Sequence, residues 1–176
     1  MSGEIIIIAP HPDDEIIGTF EVLHSGINPT IIYTEPIDDI RREELTNLKD
    51  AFRIKDQLFL RQVPGLLLKK ENIFFFPDPV YELHPAHRLS GSIGESFARN
   101  GYNVVFYNTN MNAPYIHESI DPTHKENTLN KIYPSQKSLW KYEKKYILFE
   151  GYYKWCFNVG DLYGTSSLFR GSSKED

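Results

Sequence analysis

Four ionisable side chains crowd together at His11, Asp13, Asp14 and Glu15, and two further imidazoles follow at His84 and His87. Three carboxylates and an imidazole in so short a stretch are costly to hold together unless positive charge sits among them. A divalent cation would supply it. His11 and Asp14, three positions apart, can converge on one ion across a loop-to-helix turn, leaving Asp13 close by and free. Helix capping alone would account for the acids, since the first helical turn favours carboxylates and Pro12 suits its opening position. It does not account for His11, which gains nothing from the positive end of a helix. His84 and His87 repeat the three-residue spacing around a proline and form a second half-site. Imidazole and carboxylate together suit zinc, whose catalytic sites keep one position open for water. Magnesium would draw on more oxygen ligands.

Both half-sites lie where strands end. The run Ile5 to Ile8 lacks alternation and predicts a central strand buried on both faces. A helix follows, with Ile16, Ile17, Phe20 and Leu23 on one face and Gly26 as its stop. Further strands are predicted at 29–34, 57–60, 72–76, 102–108 and 146–155, and helices at 40–54, 89–99 and 122–132. In the second helix Leu45, Leu48, Ala51 and Phe52 are spaced to face the sheet. A loop and one helical turn are expected over 61–70, and a long polar loop over 109–124. This alternation predicts a single α/β domain of three layers with a mostly parallel, Rossmann-like sheet, spanning 1–163, followed by a flexible tail at 164–176. Open sheets of this kind place ligands beyond the carboxyl ends of their strands. No G-x-G-x-x-G follows the first strand, so dinucleotide binding is not expected. Arg41 and Arg42 begin a helix at the end that disfavours cations, and pairing of Arg41 with Glu43 or Glu44 is the plain explanation. His117 and His124 have no motif around them and are read as exposed.

The stretch APHPDDEIIG resembles the AHPDDE signature of the LmbE-like, or PIG-L, deacetylases. These are zinc-dependent hydrolases that remove acetyl groups from N-acetylglucosamine conjugates. The segment YELHPAHR resembles the same family's HPDH motif. By that resemblance one zinc per subunit is held by His11, Asp14 and His87, and His84 stands beside the metal without binding it. Asp13 is then the general base and later proton donor, a role that suits consecutive carboxylates pointing in different directions, and His84 steadies the oxyanion. Arg41 and Glu44 match an R-x-x-E segment whose arginine is associated with substrate. Lys125 with Ser135 and Gln136 resembles a late K…Y-x-SQ segment, and Glu150 and Tyr152 a terminal acid–aromatic feature. The resemblance spans about Glu4 to Tyr153, in a chain shorter than a typical member. It implies a small N-acetylated sugar conjugate as substrate and a homo-oligomer as the assembly. One departure stands out: Ala86 occupies the place of the motif's usual aspartate. Glu82, Asp121 and Asp78 are the candidate replacements as a partner for His84.

The whole-chain numbers agree with a globular enzyme. At 176 residues the chain can bury about 70% of its unfolded surface. A formal charge of -5 argues against a nucleic-acid polymer as partner. Cys156 is the single cysteine, which excludes an internal disulfide and a cysteine-rich zinc knuckle. No apolar run approaches the ~20 residues that span a bilayer, and with no room for a cleavable signal before the first strand the expected location is cytoplasmic. Two other functions fit the same residues: a non-catalytic metal-binding protein of this fold, which Ala86 would suit, and a metal-dependent phosphoester hydrolase. The latter chemistry usually recruits two metals and more carboxylates.

Overall fold

The isoleucine run is buried on both sides, as its lack of alternation predicts. Strand β1 covers Ile5–Ala9, and Ile6, Ile7 and Ala9 have no solvent exposure. The computed structural model describes residues 3–59 and 68–154. After β1 come α1 (Asp14–His24), β2 (Thr30–Tyr33), α2 (Asp39–Ala51), β3 (Asp56–Phe59), β4 (Ile73–Pro77), α3 (Pro85–Arg99) and β5 (Asn103–Tyr107). The chain continues through β6 (Ile116–Glu118), α4 (Pro122–Ile132), α5 (Lys137–Tyr142), α6 (Lys145–Leu148) and β7 (Phe149–Lys154). The seven strands lie in the order β3-β2-β1-β4-β5-β7-β6. From β3 to β5 every neighbouring pair is parallel, and at one side β7 pairs antiparallel with both β5 and β6. This is the α/β, mostly parallel, Rossmann-like architecture expected, with helices covering both faces.

Alternation along the strands builds two cores. Ile7, Ala9, Ile31, Tyr33, Phe75 and Tyr107 face α1, α2 and α4, meeting Ile16, Phe20, Leu45, Leu48, Leu129 and Ile132. Ile6, Ile8, Ile32, Phe74, Phe76, Val104 and Phe106 face the other way, towards Ala98 of α3. Each large side chain so buried contributes about 1.5–3 kcal/mol, which locks strand register and hence the relative placement of the strand ends. Helix α3 sits unusually close to β4. A Cβ on Gly91 would fall 2.6 Å from the Pro77 carbonyl oxygen, and one on Gly94 would fall 2.7 Å from the Phe76 ring.

Helix α1 is kinked at Thr19, whose φ of -136° is not helical. The backbone groups that an unbroken helix would pair there are taken by an ion pair instead. Lys125, with no exposure, donates to the Ile17 carbonyl at 2.8 Å, and Glu150 accepts the Glu21 amide at 3.0 Å. The two side chains lie 3.6 Å apart. Burial pulls the Lys125 ammonium down to about 8 against the opposing pull of Glu150.

Some boundaries differ from the sequence reading. Helix α3 begins at Pro85 rather than Leu89, because Pro85 suits the opening position and His84 caps it, accepting the Ala86 amide at 3.3 Å. The region 109–124 is not one loop: it holds β6 and the start of α4, capped by Asp121. Tyr146 to Leu148 belong to a short helix, so the last strand starts at Phe149. Ala51 is exposed at the end of α2 instead of facing the sheet. The turn expected over 61–70 falls largely outside the described residues, as does the tail at 164–176. Among the described residues no helix is long and apolar enough to cross a membrane.

Candidate metal centre

The strand order reverses direction between β1 and β4, and the segments that leave the carboxyl ends of these two strands carry the two half-sites. The fold closes the gap between them. His11 Nδ1, Asp14 Oδ2 and His87 Nε2 form a triangle with sides of 3.2, 3.1 and 3.2 Å. Ligands about 2.0–2.1 Å from a tetrahedral ion stand roughly 3.3 Å apart, so the triangle has the dimensions of three zinc ligands. His84 lies beside it, with its ring 4.9 Å from that of His11 and 5.2 Å from that of His87. His11, His84 and His87 bring ring nitrogens within 4.8 Å of one another, a group that could hold a metal ion. Asp14 makes the tighter set because its carboxylate reaches both His11 and His87, and the His11 amide fixes its Oδ2 at 2.8 Å. Burial alone would raise the Asp14 pKa, yet the two imidazoles hold it well below the ordinary carboxylate range. Burial would likewise push His87 down, but Asp14 and Glu82 hold it up at about 10. A site that keeps a carboxylate ionised and draws a proton onto an imidazole is a site that favours a cation.

His87 is anchored from behind. Its Nδ1 lies 3.1 Å from Glu82 Oε2, and Glu82 is 2% exposed. The same carboxylate accepts the Thr109 amide at 2.5 Å, the Thr109 hydroxyl at 3.0 Å and the Asn110 side-chain amide. With Nδ1 directed at Glu82, it is Nε2 that faces Asp14 and His11. Carboxylate-oriented imidazoles of this kind are characteristic of metal sites.

Asp13 points elsewhere. Its carboxylate meets the Arg41 guanidinium at 3.2 Å, and Arg41 stacks 5.7 Å over the Tyr133 ring. Burial, then Asp14, raises the Asp13 pKa well above its ordinary value, with Arg41 opposing. The Asp13 backbone is in the left-handed region at φ 110°, which costs a non-glycine residue about 1–3 kcal/mol. Its amide donates to Glu15 Oε2 at 3.1 Å, and the other Glu15 oxygen accepts the Tyr133 hydroxyl at 2.5 Å. Burial lifts the Glu15 carboxyl to about 7. A cleft of about 410 Å³ opens over these groups, lined by His11, Asp13, Asp14, His84, His87 and Arg41, with Ile37, Gln136, Leu139 and Tyr146 across from them.

His11, Asp13, Asp14, Arg41, His84 and His87 therefore meet at one cleft. Arg41 reaches it engaged with Asp13, and its Nε lies 3.9 Å from Glu44, whose carboxylate is held by the Ser135 amide and hydroxyl. None of the three acids considered as partners for His84 serves it. Glu82 is committed to His87, Asp78 to the Val80 and Tyr81 amides and the Tyr115 hydroxyl, and Asp121 to the cap of α4. His84 is exposed, and burial, then His87 and His11, lower its pKa. His117 pairs with Glu21 at 3.1 Å and His124 packs on Phe20, both away from the cleft and both exposed as expected. Lys125 and Glu150 brace α1 and do not line the cleft. Thr109 and Asn110 are functional neighbours that sequence reasoning placed only in a polar loop; their position directly after β5, on the ligand side of the sheet, was the available signal. Comparison with protein-family models, curated proteins and solved structures finds no match to this chain.

Proposed function

We propose that this chain is a zinc-dependent amide hydrolase that removes the acetyl group from an N-acetylglucosamine-type conjugate. The observation that carries the reading is the triangle of His11, Asp14 and His87 with an unliganding carboxylate, Asp13, on the same cleft. The resemblance of PHPDDE and HPAH to the LmbE-like deacetylase motifs supports the same assignment. His11, Asp14 and His87 would hold the ion, which when bound supplies Lewis acidity to water and to the amide carbonyl. Asp13 lines the cleft beside Asp14 and takes the proton of the attacking water, then delivers it to the departing amine. Arg41 fixes the direction of the Asp13 carboxylate. His84, on the open side of the cleft, donates to the oxyanion that develops on the carbonyl oxygen.

The test is acetate release from a panel of N-acetylglucosamine conjugates by zinc-loaded protein, with Asp13→Asn alongside. The expected result is turnover by the native chain and a fall of roughly 10²–10⁴-fold in the variant at unchanged zinc content. Zinc bound at one per subunit with no turnover across the panel would refute the deacetylase reading. It would favour a metal-binding protein without this catalysis, which the exposed His84, lacking a carboxylate partner at position 86, already suits. Two ions per subunit would favour phosphoester hydrolysis.

A further inference from the structure

Asp13 and Asp14 are consecutive, yet one carboxylate meets Arg41 and the other meets two imidazoles. The two carboxylates diverge at an Asp13 backbone whose φ of 110° lies in the left-handed region. Something must over-determine so strained a residue. Its carbonyl is held by the Ile16 and Ile17 amides at 3.0 and 2.8 Å, which any helix start would provide. Its amide is held by Glu15 Oε2 at 3.1 Å, a contact that helical backbone pairing does not supply. Glu15 is fully buried and does not line the cleft, so it touches neither substrate nor metal. A buried carboxylate is costly beside an apolar residue of similar size, and here its second oxygen is engaged by the Tyr133 hydroxyl from 118 residues away. Tyr133 also carries Arg41 over its ring, so one side chain supports both ends of the Asp13–Arg41 pair.

From these contacts we infer that Glu15, gripped by Tyr133, is the positioning residue that holds the strained Asp13 backbone and keeps the two aspartates facing apart. Resting on the deacetylase reading, it adds a residue whose effect is on the placement of the base and not on the metal. Tyr133→Phe removes the hydroxyl and keeps the ring beneath Arg41. Glu15→Gln keeps the volume but leaves one accepting oxygen for two donors, and it serves equally if the tyrosine variant does not fold. In either variant zinc affinity is expected to stay within about threefold of native, because His11, Asp14 and His87 are untouched and Asp14 remains fixed by the His11 amide. The kcat for acetate release falls about 10- to 100-fold with KM nearly unchanged, the loss expected when a base is displaced by a fraction of its length. Hydrogen exchange of the Asp13 amide, followed by NMR, speeds up at least about tenfold while core amides of β1 and β5 keep their protection. Unchanged kcat, or an Asp13 amide that exchanges as slowly as in the native chain, would overturn the inference. A native protein that binds zinc but releases no acetate would remove the deacetylase reading alone, and the exchange measurement would still decide the role of Glu15.

Discussion

Replacing Glu82 by glutamine separates metal affinity from metal ligation. The carboxylate collects four donors: His87 Nδ1, the Thr109 amide and hydroxyl, and the Asn110 side chain. Glutamine offers one oxygen and an NH2 group in place of two oxygens. If the NH2 faces His87, it competes with the Nδ1 proton, and the ring relieves the clash by moving that proton to Nε2. That nitrogen lies 3.1 Å from Asp14 and is the one needed for metal, so the favoured tautomer becomes the wrong one. If the oxygen faces His87 instead, the Thr109 amide loses its partner in a buried site. Either way the cost falls on the ion-binding form. The expected loss of zinc affinity is roughly 10- to 100-fold, equivalent to about 1.4–2.8 kcal/mol. Competition against chromophoric chelators of graded affinity measures it, with Glu43→Gln on the exposed face of α2 as control. A dissociation constant within twofold of native for Glu82→Gln would show that the anchor does not set the imidazole, and the orientation argument for His87 would fail.

Three further outcomes follow from the same geometry. Alanine at His11, Asp14 or His87 sharply lowers zinc content by elemental analysis while alanine at His84 retains it; a His84 variant that loses metal with His87→Ala unaffected would reverse the assignment. Lys125→Met leaves the buried Glu150 carboxylate without its opposing charge and the Ile17 carbonyl without its donor, and is expected to cost about 3–5 kcal/mol in chemical unfolding; a loss below 1 kcal/mol would mean that the kink in α1 is not splinted by this pair. Burial, with a nearby carboxylate adding, raises the phenol pKa of Tyr33, Tyr107, Tyr133 and Tyr152 well above the ordinary value near 10. Above pH 10 the unfolded chain releases these protons and the folded one keeps them, so stability complete below that pH falls about tenfold in the folding constant per pH unit for each tyrosine. A flat stability profile from pH 10 to 11 would contradict it.

The parts of the molecule legible in the sequence are those where one short stretch carries the whole instruction. Ile5 to Ile8 announce a two-sided strand, and the break at Pro10 places His11 and Asp14 beyond its end. The strand pattern of 102–108 likewise gave β5. The start of α3 was harder because His84 acts as a cap through its ring nitrogen, and histidine is not among the usual capping residues. Strand β6 is only three residues long and exists because β7 pairs with it, so no local period could reveal it. Within the site, spacing brought out the candidate ligand types but not their supports. The partner of His87 lies five residues before it on an irregular loop, and the groups that steady that partner follow a strand 27 residues later. Contacts made by loops leaving neighbouring parallel strands depend on strand order, which spacing does not encode.

The fit of α3 against β4 gives its two glycines a bearing on chemistry that neither touches. His87 lies in the first turn of that helix and Gly91 one turn further on, against the Pro77 carbonyl. The thickness of the seam between helix and sheet is therefore a calibrated dimension: it sets how far the His87 imidazole stands from His11 and Asp14, which follow β1. A methyl group at position 91 would act as a shim, tilting the helix start and widening the triangle while the sequence of all three residues stayed the same. Drift at such a position would change the spacing of His11, Asp14 and His87 without leaving a trace in either histidine motif.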